Sequence, residues 1–188
     1  REMALGSDRW KFLSAIGPLG LLGAPAVPVL LEVGHDSRPE RRHSAITWLK
    51  MAYSHSPDPR IVDFLFGIVQ ENPTSAVDEH MRHYAALALG ECGEPRAVAP
   101  LLEVLQDAPS MRDSVVQVLG ELGDEHVLAT LTAAYEASMA GNDGIDVSEH
   151  PMERYAFQDN LLRAMLKIRE RLDAAGADAD SSGSSATT

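Results

Sequence analysis

The chain has 188 residues, 45% of them hydrophobic but only 5% aromatic, and 28 acidic against 16 basic side chains leave a formal charge of −12. That length and apolar content can bury a core, the aliphatic composition favours packed helices over a β-sandwich, and the acidic excess opposes binding to a phosphate backbone. Gly17, Pro18, Gly20, Gly23, Pro25 and Pro28 interrupt the most apolar stretch, so no membrane span is expected, and the single cysteine, Cys92, gives no reason for an oxidising compartment, so the expected location is cytoplasmic.

The chain begins Arg1-Glu2-Met3 with no apolar signal-peptide core, and further structure upstream is expected. Apolar periodicity and end signals predict helices at 8–19, 25–34, 39–54, 58–71, 75–91, 95–107, 110–121 and 124–139. Gly-x-x-Gly corners at Gly20/Gly23, Gly90/Gly93 and Gly120/Gly123 are expected to end helices through the left-handed conformation glycine reaches freely. Asp58, Glu94 and Asp124 stand where an acidic side chain caps the next helix, with Pro59 and Pro95 at the first helical position, where no N–H is missed. Residues 140–150 read as a polar loop turning at Asn142-Asp143-Gly144. A helix over 151–175 carries Leu161, Met165, Ile168 and Leu172 on one stripe and Arg163, Lys167, Arg169, Glu170 and Arg171 elsewhere, as a cap over the end of a helical stack would. Residues 176–188 hold nothing to bury and are expected to be disordered.

These helices belong to repeats. A shift of thirty residues superimposes Met111–Gly123 on Met81–Gly93, matching Arg112 with Arg82 and Gly120-Glu121 with Gly90-Glu91. A shift of 71 residues relates Ala26-Val27-x-x-Leu30-Leu31-Glu32-Val33 to Ala97-Val98-x-x-Leu101-Leu102-Glu103-Val104, and the unit between begins at Arg42-His43-Ser44-Ala45, parallel to Arg82-His83-Tyr84-Ala85. Met81, Ala85, Ala88 and Cys92 share their spacing with Met111, Val115, Val118 and Leu122, one buried helical face in each unit. The string Arg82-His-Tyr-Ala-Ala-Leu-Ala-Leu-Gly-Glu-Cys-Gly-Glu-Pro-Arg-Ala-Val-Ala-Pro-Leu-Leu-Glu-Val-Leu-Gln-Asp107 resembles the HEAT-like repeat of the phycobilisome-lyase type. The resemblance, over roughly residues 10–137, implies an all-α protein: an α-α superhelix, or HEAT/ARM-like solenoid, of about four helix pairs within residues 1–175, closed by the C-terminal helix, with second helices lining the concave side.

No constellation points to catalysis. Glu79-His80-x-x-His83 supplies two imidazoles and no third ligand at a predictable distance. The pairs Glu79-His80, Glu125-His126 and Glu149-His150 are out of register between repeats, since His126 aligns with Arg96 and His80 with Ser110, which disfavours the shared iron centre of HEAT-repeat hydroxylases. Asp143, Asp146 and Glu149 miss the EF-hand spacing and read as a solvated loop. Cys92 takes the core position of Leu122, where a buried thiol is inert. No catalytic residue, metal or cofactor is therefore expected, and the leading function is a non-enzymatic protein-binding scaffold or adaptor. The alternative is an accessory subunit in cofactor attachment or enzyme maturation, phycobilin-lyase-like. Aligning the second helices places Glu32 and Glu103 in one column with Gly67 and Ala133, and His35, Gln70, Gln106 and Glu136 in the next, with Asp63, Glu71 and Asp107 alongside. Glu32, Asp63, Gln70, Glu103, Gln106, Asp107 and Glu136 are the candidate binding residues, and acidic groups among small ones favour a basic protein or peptide over nucleic acid or membrane.

Overall fold

The computed structural model describes residues 21–144 and 151–183, which form eight α-helices with no strand among them. These are α1 (Val27–Gly34), α2 (Pro39–His55), α3 (Pro59–Gln70), α4 (Ala76–Glu91), α5 (Val98–Asp107), α6 (Arg112–Leu122), α7 (Glu125–Met139) and α8 (Pro151–Gly183). Short 3-10 turns at Ala24–Ala26, Pro95–Ala97 and Pro109–Met111 lead into α1, α5 and α6. Each predicted helix from 25–34 to 124–139 has its counterpart within a few residues, and the one predicted at 8–19 lies outside the described residues. The chain divides after Pro100 into two compact units.

In the first unit, α1 packs on α2 and α3 on α4, while α2 also packs beside α4, so that first helices neighbour first helices and second helices neighbour second. Leu30, Ile46, Leu49, Ile61, Leu65 and Leu89 are fully buried, each contributing about 1.5–3 kcal/mol of transfer free energy. The starts are capped as their residue types require. Asp58 accepts from the Arg60 N–H at 3.0 Å and Glu94 from that of Arg96 at 3.2 Å, while Ser75 accepts from the Asp78 N–H at 3.2 Å. Gly93 has φ +77° and the Glu94 N–H reaches back to the Leu89 carbonyl at 3.2 Å, a Schellman-type end for α4.

The second unit is organised by α8, which packs on both α6 and α7. Phe157, Leu161, Ala164 and Ile168 form its buried face; Met165 and Leu172, expected on that stripe, are only half-buried because they lie at its edge. Gly120 permits the approach to α6: a Cβ there would lie 3.0 Å from the Cα and Cβ of Ala164. Arg171, exposed as expected, also donates to the carbonyls of Gly120, Glu121 and Gly123, satisfying acceptors that the end of α6 leaves open.

Three expectations need correcting. The Gly-x-x-Gly corner is not one device, for Gly123 has φ −65° and ψ 153°, an extended conformation open to any residue. What requires glycine there is space, since a Cβ would lie 2.6 Å from the Leu119 carbonyl oxygen and 2.6 Å from Val127 Cγ1. Asp143 is no solvated loop residue. Its side chain, 3% exposed, accepts from Ser138 Oγ at 2.6 Å and from Arg154 at 3.0 Å, while its carbonyl accepts from Arg112 at 2.8 Å; Asp146 and Glu149 lie outside the described residues. Finally, α8 continues through Gly183 rather than ending at 175, because Ala174, Ala175 and Ala177 are strong helix formers, no proline intervenes, and a lone Gly176 costs only about 1 kcal/mol.

Candidate functional site

The repeat-matched arginines show how consecutive second helices are finished. Arg82 Nε donates to the Val69 carbonyl at 3.0 Å, near the end of α3, and Arg112 Nε to the Leu105 carbonyl at 3.1 Å, near the end of α5. A cation at a helix C-terminus satisfies open acceptors and opposes the negative end of the dipole. Arg42, the third member of the series, points its Nη2 to Glu71 at 3.3 Å instead. Beside it opens a groove of about 420 Å3, lined by the end of α1, the start of α2 and one face of α3.

Two glycines shape this groove. A Cβ on Gly34 would strike the Phe64 ring at 2.4 Å, so the missing side chain lets Phe64 lie over the end of α1, its ring centroid 5.1 Å from that of His35. Gly67, in the middle of α3, has nothing within 4 Å of where its Cβ would be and exposes backbone along the groove. Phe64 and Ile68 supply apolar wall, and Asp63 and Glu71 the acidic rim. Asp36, also in the lining, is engaged within the fold: Arg38 donates to it at 2.6 and 2.8 Å and buried Arg41 at 3.3 Å. The Arg38 hydrogen bonds hold its carboxyl down at about 2, against partial burial that works the other way.

Of the residues nominated in this unit, Glu32, Asp63 and Gln70 are all exposed, yet only Asp63 lines the groove. His35, Gly67 and Glu71, which the same alignment of second helices singled out, line it as well. Sequence reasoning missed Gly34, Phe64 and Arg42. The departure of Arg42 from the arginine series was the available signal, but it becomes one only when the partners of Arg82 and Arg112 are known. In the second unit Glu103, Gln106, Asp107 and Glu136 are exposed on α5 and α7. A groove of about 320 Å3 there runs between α6 and α8, lined by Asp113, Gln117, Glu121, Asn160, Arg163 and Lys167 among others, and includes none of the four.

The chemically suggestive residues have structural surroundings. His83 is buried in α4, while His80 is exposed with its ring 6.3 Å from that of His43, which stacks on Tyr84 at 4.1 Å. Among the described residues no group of three or more His, Cys, Asp or Glu side chains is placed to hold a metal ion. Cys92 is half-buried rather than buried, and its thiol is pushed up to about 11 by desolvation and by the neighbouring Glu91 carboxylate. Among the described residues no helix is long and apolar enough to cross a membrane.

In the first unit, helix pairs with first helices beside first and second beside second, and an open groove on the second-helix side, are the packing of an α-helical repeat protein. The family model for HEAT repeats matches residues 27–110 and 74–140, more than half of the chain, and the chain belongs to the HEAT-repeat family. That match is to HEAT repeats at large and does not single out the phycobilisome-lyase type. Comparison with curated proteins gives no match.

Proposed function

We propose that this chain is a protein-interaction scaffold that takes a basic helix or extended segment of its partner against the second-helix side, with the groove between α1 and α3 as the anchoring site. The observation that carries this reading is the juxtaposition of open backbone at Gly67 with apolar Phe64 and Ile68 beneath a rim of Asp63 and Glu71. A glycine in mid-helix costs stability, and the space it leaves lets a bound segment lie close to the backbone. Carboxylates on the rim favour Lys or Arg on the bound segment and steer its approach, while the apolar wall supplies the burial that affinity needs. Glu32 and Gln70 would add polar surface beside the groove in this unit, while Glu103, Gln106, Asp107 and Glu136 would form a separate, mainly acidic patch on the second unit. A cytoplasmic location accords with a lone cysteine.

The experiment is selection of binders from a displayed random-peptide library on the intact chain, repeated on Gly67→Trp. Because the Gly67 site is open, tryptophan fills the groove without invading the core. Peptides enriched in Lys and Arg that lose binding to the tryptophan variant are expected. Enrichment of acidic peptides, or of peptides that bind both proteins equally, would count against the groove.

A further inference from the structure

α8 buries one face and leaves a second apolar line outside. Met152, Tyr155, Leu162 and Leu166 are 71%, 64%, 46% and 60% exposed. Scattered apolar side chains are ordinary on a surface, but these four lie in register. With Asp159, Arg169 and Asp173 they occupy positions 152, 155, 159, 162, 166, 169 and 173, alternating steps of three and four that make the a/d seam of a heptad repeat.

We propose that this seam is a self-association surface, on which a second copy of the chain lays its own α8 antiparallel about a two-fold axis, with Leu162 of each copy against Leu166 of the other. Charge complementarity selects both the occupant and the register. Once Leu162 faces Leu166, Asp159 faces Arg169, Tyr155 faces Asp173, and Met152 faces Gly176, and two-fold symmetry makes every contact twice. Sliding by one heptad in either direction sets a charged seam residue against a leucine or methionine: Asp159 on Leu162 and Arg169 on Met152 one way, Asp173 on Leu162 and Arg169 on Leu166 the other. A parallel pair in register would stack Asp159 on Asp159 and Arg169 on Arg169. Both failures carry desolvation or like-charge costs that the chosen register reduces, since its one unbalanced charge, Asp173, meets the hydroxyl-bearing Tyr155 rather than a leucine or methionine.

The charged members are available for this pairing. Arg169 and Asp173 are exposed, and their side chains have no ion-pair partner among the described residues. Asp159 is bridged to Arg163 within its own helix at 2.7 Å, but both are well exposed, at 58% and 76%, and such a surface pair holds little free energy. The net charge of −12 opposes association of copies in general. Along the seam and its flank, however, Asp159, Glu170 and Asp173 are largely balanced by Arg163 and Arg169, so this face is far less acidic than the chain as a whole. The four apolar side chains with their flanks would bury on the order of 1,000 Å² in a symmetric pair, near the lower bound of a specific interface, so a weak, concentration-dependent dimer is expected.

Sedimentation equilibrium of the intact chain between about 1 µM and about 1 mM tests this directly. A monomer–dimer equilibrium is expected, with Leu166→Asp monomeric throughout and unchanged in far-UV circular dichroism, since Leu166 is exposed. Asp159→Arg or Arg169→Asp alone should weaken dimerisation roughly tenfold, and the double swap D159R/R169D should recover most of that loss. A single monomer mass over the whole range would overturn the proposal, as would a dimer that Leu166→Asp leaves intact. Equal dimerisation of the single and double charge variants would overturn the register.

Discussion

Adding one methyl group at Gly67 and at Gly123 should move stability in opposite directions. At Gly67, within α3, the backbone is ordinary helix and a Cβ would meet nothing within 4 Å, so Gly67→Ala gains the helix propensity that glycine forfeits, about 0.5–1 kcal/mol of stabilisation. At Gly123 the backbone, with φ −65°, also accepts alanine, and the decision falls to space. A Cβ there would sit 2.6 Å from the Leu119 carbonyl oxygen, 2.6 Å from Val127 Cγ1 and 2.8 Å from Ile168 Cδ1, contacts from α6, α7 and α8 together. The carbonyl cannot withdraw cheaply because it accepts the Gly123 N–H at 2.7 Å. Overpacking against backbone costs about 1–3 kcal/mol, so Gly123→Ala should be the less stable variant by roughly 1.5–4 kcal/mol relative to Gly67→Ala. Urea unfolding followed by far-UV circular dichroism measures both, with tryptophan fluorescence, from Trp10 and Trp48, reporting the first unit separately. A Gly123→Ala protein at least as stable as the wild type, or a Gly67→Ala protein less stable by more than about 0.5 kcal/mol, would refute the steric reasoning.

Three further outcomes are expected. Asp143→Ala should cost about 1.5–3 kcal/mol in thermal or urea unfolding, because it removes the carboxylate that accepts from Arg154 and Ser138; a change under about 1 kcal/mol would mean that the junction between α7 and α8 is held by packing alone. With its thiol near 11, Cys92 should react with iodoacetamide at pH 8 roughly a hundredfold more slowly than free cysteine, and equal rates would show a thiolate that the fold does not suppress. The carboxyl of Asp36 is depressed in the fold to about 2 from an ordinary 3.8, so its contribution to stability is present above about pH 4 and lost as pH falls towards 2. Asp36→Asn should therefore show a shallower fall in Tm over that interval than the wild type, and parallel curves would contradict the pairing with Arg38.

The repeat architecture was legible because each local signal agreed with the others. Aspartate or glutamate before proline marked helix starts, and the cap at Asp58 is found where it was expected. Matched apolar positions such as Ala85 and Val115 are both fully buried. Less legible was anything that depends on approach between helices. Glycine in sequence announces a permissive backbone, yet it is steric space that matters at Gly34, Gly120 and Gly123, and only the partners Phe64, Ala164 and Val127 reveal it. Asp143 looked like surface charge because its donor Arg154 lies on another helix, and the carbonyls of α6 that the exposed Arg171 reaches were equally hidden in the sequence. For the site, aligning second helices found Asp63, Gly67 and Glu71 but missed Phe64, whose place in the groove follows from the absent side chain at Gly34.

Binding of a basic segment in the second-helix groove shows itself in the salt dependence of affinity. A Lys-rich peptide selected on the intact chain would be titrated by fluorescence anisotropy against wild type and Asp63→Lys/Glu71→Lys, at about 50 mM and about 500 mM salt. Wild-type affinity is expected to fall with salt, and the double variant to bind at least about tenfold more weakly at low salt with most of that dependence lost. Equal affinity and an equal salt slope in the two proteins would contradict it.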